Sequence, residues 1–227
     1  MLDLLLINPG NSDKMYQSLA SKYRSIEPPW YAGMLASFIR KYRYDVRILD
    51  ADCDNLSSKE IVLRIKDYKP RLIAIVVQGN TPSVSSTPKM SAVRDLLTEL
   101  HGNYQTILVG QHPSALPEKT LEEECCSFVC QGEGFYTLLG LVQSKSLNHI
   151  PGLYYWGQDG DIEHNSIAEL LPETELPPVA WDLLDVEKYR APVWACLDDI
   201  DNRYPHAAIY SSLGCPYNCS FCQIKTA

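Results

Sequence analysis

Five short apolar runs, each followed by a stretch of different period, constrain the fold of this chain more than any other feature. "LDLLLINP" is almost continuously apolar, the pattern of a strand buried on both faces rather than on one. "DVRILDAD", "RLIAIVVQ", "QTILVG" and "CSFVCQG" repeat that character. Between the first two runs, "PPWYAGMLASFIRKY" carries Tyr31, Met34, Leu35, Phe38, Ile39 and Tyr42 at helical spacing. Its prolines stand at the start, where a missing amide proton costs nothing. Ser57 and Glu60 form a capping box that opens a helix over "KEIVLRIKDY". Residues 89–101 and "FYTLLGLVQS" predict two more helices. Alternation of this kind builds parallel βαβ units with right-handed crossovers. The expected fold class is therefore α/β: a doubly wound, mostly parallel five-stranded sheet of flavodoxin-like or Rossmann-like type. Ligands of such sheets bind at the carboxyl ends of the strands, near the topological switch point.

The pattern changes near residue 146. "IPGLYYWGQDGDIEHN" predicts a hairpin turning at Gln158 to Gly160. "LLPETELPPVAWDLLDVEKY" is rich in proline and acids and predicts a wrapping adaptor. "HAAIYSSLGC" returns to strand character and leads into a cysteine-rich loop. The expected organisation is an α/β domain over 1–145, a hairpin and adaptor over 146–205, and a strand with a loop over 206–227.

The net charge of −8 and the pI near 5.1 argue against a surface that tracks phosphates of nucleic acid. No apolar run approaches a membrane span, and no basic segment precedes the first apolar run, so a cytoplasmic, reducing setting is expected. In that setting clustered cysteines serve more often as metal ligands than as disulfides. Cys53, Cys125, Cys126, Cys130 and Cys196 lack metal-like spacing and read as small hydrophobes.

The loops after the strands carry the candidate ligand groups. They are "NPGNSDKMYQSLASKYRSIE", "QGNTPSVSSTP", "GQHPSALPE" and "GEGF". Gly79, Gly110, Gly132 and Gly134 let a ligand approach the backbone, and Ser83, Ser85, Ser86 and Thr87 offer hydroxyls. Each loop alone reads as an ordinary turn; together, on one sheet edge, they favour a ligand site. Asn8-Pro9-Gly10 does not match the dinucleotide fingerprint, which disfavours a nicotinamide or flavin dinucleotide. His112 is a candidate ligand or base, against the plainer reading of an exposed loop histidine.

"CPYNCSFC" sets Cys215, Cys219 and Cys222 at metal-ligand spacing. Three thiolates are incomplete for a structural zinc, and they suit a [4Fe–4S] cluster that leaves one iron open. The motif, with Phe221 before its last cysteine and a predicted strand before it, resembles the radical SAM superfamily. That resemblance implies that the three cysteines hold a [4Fe–4S] cluster. Its open iron would bind S-adenosylmethionine for cleavage to a 5′-deoxyadenosyl radical, with Phe221 near the adenine.

"INPG", "PPWYAGMLAS", "VGQHPSALPE", "CQGEGF" and "LPPVAWDLLDVEKY" resemble the cobalamin-binding portion of B12-binding radical SAM proteins. This implies a corrinoid held by Asn8, Pro9, Ser83, Ser85, Ser86, Gly110, Gln111, His112, Gly132, Glu133 and Gly134. The first loop contains no histidine, so base-off cobalamin without a histidine on cobalt is expected. The implied activity is methyl transfer from methylcobalamin, with radical cyclisation as a second chemistry. A non-catalytic flavodoxin-like binding module with a zinc-loaded or vacant cysteine loop is the alternative. A complete barrel needs roughly two hundred residues by analogy with other α/β barrels. Only its first strand and cluster loop are expected here, so a fragment, a truncated product or half of a split enzyme is anticipated. Such a chain would need a separate chain carrying the rest of the barrel for turnover.

Overall fold

The structure is a computed structural model, and it describes residues 1–10, 24–79, 86–195, 199, 201–209, 213–215, 217, 219, 220 and 222. Strands β1 (Leu2–Asn8), β2 (Val46–Asp50), β3 (Pro70–Val77), β4 (Thr106–Gly110) and β5 (Phe128–Cys130) are parallel to their neighbours. β6 (Leu153–Trp156) and β7 (Ile162–His164) continue the sheet antiparallel, giving the order β2-β1-β3-β4-β5-β6-β7. The first five strands thus follow the flavodoxin order, whose switch point lies between β1 and β3. The predicted hairpin does not stand apart. Tyr155 pairs with Phe128 and Leu153 with Cys130, so it extends the expected five-stranded sheet to seven strands.

Period-two alternation decides which helices cover which face. Leu4 and Leu6 of β1, Ala74 and Val76 of β3, and Val109 of β4 point to one side. There they pack against α1 (Trp30–Lys41) and α6 (Phe135–Val142). Leu5, Ile7, Ile73, Ile75, Val77 and Leu108 point to the other. They meet α2 (Ser58–Tyr68), α3 (Met90–Leu100) and Leu121 of α5 (Pro117–Glu123). Each fully buried Leu or Ile is worth about 1.5–3 kcal/mol relative to exposure. A sheet apolar on both faces therefore has one arrangement open to it, a layer between helices.

The capping box at the start of α2 forms in both directions, with the Ser57 hydroxyl accepting from the Glu60 amide. Between β4 and β5 the sequence suggests only a loop, and the structure instead forms two short helices, α4 (Gln111–Ala115) and α5. Pro117 sits in the first turn of α5, where proline supports a helix start rather than breaking one. The expected strand entering the cysteine loop is not found over 206–209, which pair with no strand among the described residues; 210–212 lie outside them.

From 166 to 195 the chain runs as an adaptor of short 3-10 turns along the α1 side and the carboxyl edge. Leu171 and Ala180 of the adaptor join the core on the α1 side, and specific polar contacts add to that packing. The Ala180 amide donates to Gly33 O at 3.1 Å, and Arg40 grips the Asp182 carboxylate at 2.8 and 2.9 Å. A Cβ at Gly33 would lie 2.5 Å from Val179 Cγ1, so glycine at this point of α1 is what lets the adaptor come so near.

Candidate functional site

The carboxyl ends of β1 and β2 meet in a buried polar network. Asn8, 5% exposed, uses both ends of its amide inside the protein. Its Nδ2 donates to Asp50 Oδ1 at 2.7 Å, and its Oδ1 accepts from Lys89 Nζ at 2.9 Å. Asp50 Oδ1 also accepts from the Cys53 amide, and Oδ2 accepts from the Tyr189 hydroxyl at 3.0 Å. Burial raises the Asp50 carboxyl to about 6, against the lowering effect of these hydrogen bonds. Burial likewise lowers the Lys89 ammonium, while Asp52 and Asp50 oppose that shift. Arg24 lies 3.6 Å from Asp52, and Lys188 pairs with Asp54 at 2.9 Å beside it. Burial first, then Asp50, lifts the Cys53 thiol to about 12, so it stays protonated at neutral pH.

This network borders a small cleft at the β1/β3 switch point that is partly open to solvent. Its walls include Asn8, Pro28, Trp30, Asp52, Gln78 and Lys89. Gln78 Oε1 is buried and has no hydrogen-bond partner among the described residues. An acceptor left that way costs about 1–3 kcal/mol, a cost that a ligand donor would remove. The switch-point residues therefore fit a bound group with N–H donors. A second, larger and more apolar cleft is lined by Trp30, Met34, Pro178, Trp181, Ile209 and Leu213 among others. Trp30 walls both clefts.

The other strand-end residues form a second cluster. Gly110 has φ +130°, and a Cβ there would lie 2.2 Å from Val77 O, so only glycine lets β4 leave the sheet beside β3. The buried Ser86 hydroxyl accepts from the His112 amide at 2.9 Å. His112 Nδ1 and Thr87 Oγ1 lie 3.0 Å apart. Burial holds the His112 imidazole below its usual value, which favours the neutral ring. Gln111 is buried in the first turn of α4. The Gly132 amide donates to Ser114 Oγ at 2.8 Å, and the Tyr31 hydroxyl donates to Glu133 O at 2.6 Å. Glu133 Oε2 accepts from the Leu171 amide of the adaptor at 2.8 Å. Pro9 is buried directly after β1, and Gly134, at φ +86°, precedes α6.

Ser83, Ser85 and Phe221 lie outside the described residues. Cys215 is half-buried, whereas Cys219 and Cys222 are exposed, with the Cys222 amide donating to Cys219 O at 3.1 Å. Among the described residues no three His, Cys, Asp or Glu side chains converge on a metal position. The approach to this loop is tied to the sheet edge, because His206 Nε2 lies 3.0 Å from Glu27 Oε2, and Glu27 lines the switch-point cleft.

Sequence reasoning missed Asp50, Gln78, Lys89, Tyr189 and the Glu27–His206 pair. For Lys89 a signal existed: it precedes Val93, Leu96, Leu97 and Leu100 at helical spacing, a lysine on the apolar face of a helix. Tyr189 gave none, since its partner lies 139 positions away.

A doubly wound domain of this strand order, with polar groups and glycines gathered at its switch edge, defines a cofactor-binding α/β domain. The B12 binding domain family matches residues 16–142, and the chain belongs to that family. Among curated proteins, an uncharacterized methyltransferase of Pyrococcus horikoshii is 29% identical over 201 residues, covering 86% of this chain and 40% of that protein. An anaerobic magnesium-protoporphyrin IX monomethyl ester cyclase of Synechocystis is 27% identical over 184 residues, 79% of this chain and 34% of that one. The chain thus spans well under half the length of these relatives. Among solved structures, the radical S-adenosylmethionine methyltransferase TsrM from Kitasatospora setae superposes with a TM-score of 0.58 at 17% identity, covering 74% of this chain and 31% of TsrM. The cobalamin-dependent S-adenosylmethionine radical enzyme OxsB, with aqua-cobalamin and S-adenosylmethionine bound, gives 0.58 at 19% identity, 79% of this chain and 24% of OxsB. These likenesses establish the fold. No helix among the described residues is long and apolar enough to cross a membrane.

Proposed function

We propose that this chain is the cobalamin-binding portion of a B12-dependent radical SAM methyltransferase, with the corrinoid on the carboxyl edge of β1, β3, β4 and β5. The carrying observation is the B12-binding family match over 16–142, the span that supplies the glycine and polar edge. The methyltransferase reading draws on the Pyrococcus relative; the 27% identity to the Synechocystis enzyme favours radical cyclisation as the second reading. When bound, the corrinoid would supply a transferable methyl group. This chain's own residues would do the positioning. Gly110 and Gly134, both at positive φ and packed against Val77 and Val109, set the path of the strand-end loops, and Ser86 fixes the backbone of His112. Asn8 acts as a positioning residue that orients Lys89 and Asp50, since both ends of its amide are engaged inside the protein. The first loop contains no histidine, so it would offer a bound corrinoid no imidazole ligand.

The chemistry of the donor set at Cys215, Cys219 and Cys222, three thiols on one short loop, fits a cluster with one open iron. In this reading the three thiolates would hold a [4Fe–4S] cluster, which would supply the electron that cleaves S-adenosylmethionine, and Phe221 would contribute to holding that substrate. The boundaries 1–145, 146–205 and 206–227 are proposed as cofactor domain, adaptor and start of the radical SAM domain. Turnover is proposed to need the part of the relatives' length that this chain does not span, in the same chain or a separate one.

Titration with hydroxocobalamin tests the corrinoid: shifted visible bands with saturation are expected, and unchanged bands would sink the reading. Anaerobic reconstitution with iron and sulfide tests the cluster. Broad thiolate-to-iron absorption is expected, lost in the Cys215→Ala, Cys219→Ala, Cys222→Ala triple variant. Stoichiometric zinc without that absorption would favour the non-catalytic module.

A further inference from the structure

The hydrogen bonds at the carboxyl ends of β1 and β2 form one line from the adaptor to the switch point. The Tyr189 hydroxyl donates to Asp50 Oδ2 at 3.0 Å, and Asn8 Nδ2 donates to Asp50 Oδ1 at 2.7 Å. Lys89 Nζ donates to Asn8 Oδ1 at 2.9 Å. Tyr189 is 1% exposed, Asn8 5% and Lys89 7%, so bulk water screens the line little. The charged groups of this line dictate the amide between them. An ionised carboxylate can only accept and an ammonium can only donate, so Asn8 has one orientation, Nδ2 to Asp50 and Oδ1 to Lys89. A protonated Asp50 carries a donor of its own and removes that constraint.

We propose that Tyr189, through its hydroxyl, is the adaptor's positioning residue for the switch point: by holding Asp50 as an acceptor-only carboxylate, it locks the Asn8 amide and with it Lys89. The inference does not depend on the corrinoid reading. Three donors favour the ionised form of Asp50: Asn8 Nδ2, the Cys53 amide and the Tyr189 hydroxyl. The first two come from the end of β1 and the turn after β2, and the third arrives from 139 positions away. Burial and the Asp52 carboxylate work against them and bring the Asp50 carboxyl to about 6, where one hydrogen bond decides its state at neutral pH. The other charges nearby do not replace the hydroxyl. Asp52 lies 3.6 Å from Arg24, Glu27 faces His206 at 3.0 Å, and the Cys53 thiol stays protonated. Lys188 is shared between Asp54 at 2.9 Å and Asp185 at 3.4 Å.

The experiment is a pH titration of the chain alone by isotope-labelled NMR, read at Asp50 Cγ, Tyr189 Cζ, Asn8 Nδ2 and Lys89 Cε. In the unaltered chain all four signals are expected to change together, with a midpoint of about 6. Tyr189→Phe should move the midpoint of the remaining three up by about one pH unit, the effect of losing one hydrogen bond to a charged group. At about pH 6.5 the Asn8 amide protons should exchange several-fold faster in Tyr189→Phe than in the unaltered chain. Raising the pH to about 8.5 should abolish that difference, because Asp50 then ionises without the hydroxyl. A merely structural loss would not be repaired by pH. Arg40→Ala, which releases the adaptor at a different tether, should leave the midpoint in place. The proposal is overturned if Asp50 keeps its midpoint in Tyr189→Phe, since water then serves as well as the hydroxyl, or if Arg40→Ala moves it equally. It is also overturned if Tyr189, Asn8 or Lys89 in the unaltered chain fails to follow Asp50. That last arm needs no variant, so a Tyr189→Phe protein that misfolds by circular dichroism leaves the question decidable.

Discussion

The sheet and the adaptor both bury apolar residues, but in different patterns. Leu4, Leu5, Leu6 and Ile7 are all 0% exposed and alternate between two helix layers, so every residue of the strand supports the same placement. The adaptor buries Leu171, Ala180 and Tyr189 at separate points and adds polar tethers there: Ala180 on Gly33, Asp182 on Arg40, Leu171 on Glu133, and Tyr189 on Asp50. Loss of one apolar residue weakens the whole sheet, whereas loss of one adaptor tether frees only a short length of chain. The region carrying the cofactor edge is thus rigid by redundancy, and the region leading to the cysteine loop is adjustable tether by tether.

The largest effect should come from the sheet. Leu6→Ala removes a fully buried side chain between α1 and its strand neighbours and is expected to cost about 3–4 kcal/mol in urea unfolding. A loss below about 1 kcal/mol would count against the packing described. Next comes Gly33→Val, which collides with Val179 and should cost about 2 kcal/mol. Its signature is local: Trp181 fluorescence changes and adaptor proteolysis quickens, while the far-ultraviolet spectrum of the sheet is retained.

Asp50 gives a pH test of intermediate size. Burial raises its carboxyl from 3.8 to about 6 in the folded protein. A carboxyl raised in this direction adds stability that is full below about pH 4 and is lost as pH rises through 6. Asp50→Asn should therefore gain on the unaltered chain between pH 4 and pH 7, by an amount on the order of 2 kcal/mol. A flat difference across that window would refute the buried-carboxyl assignment. The smallest effect belongs to Arg40→Ala. Its exposed pair with Asp182 should contribute less than about 0.5 kcal/mol by thermal unfolding at ordinary salt.

Much of the sheet was legible because its signals are local. The apolar runs, the alternation that sends Leu4 and Leu5 to opposite faces, and the Ser57–Glu60 box all reside within a few residues of themselves. What escaped reading depends on distant partners. The hairpin's place in the sheet escaped reading because nothing in "LYYW" states that Phe128 is its neighbour. The α4–α5 segment looked like a loop because Pro113 and Pro117 suggest interruption, although proline also suits the first turn of a helix. At the candidate site the glycines and hydroxyls of the strand-end loops were legible. The network joining Asn8, Asp50, Lys89 and Tyr189 was not, because it assembles from four separate segments. Asn8 lines the cleft, and its amide also connects two neighbours within the protein.

Trp30 stands between a small polar cleft and a large apolar one, and it is 3% exposed. A residue shared by both linings ties the shape of one cleft to that of the other, so a substitution at Trp30 is expected to alter the two together.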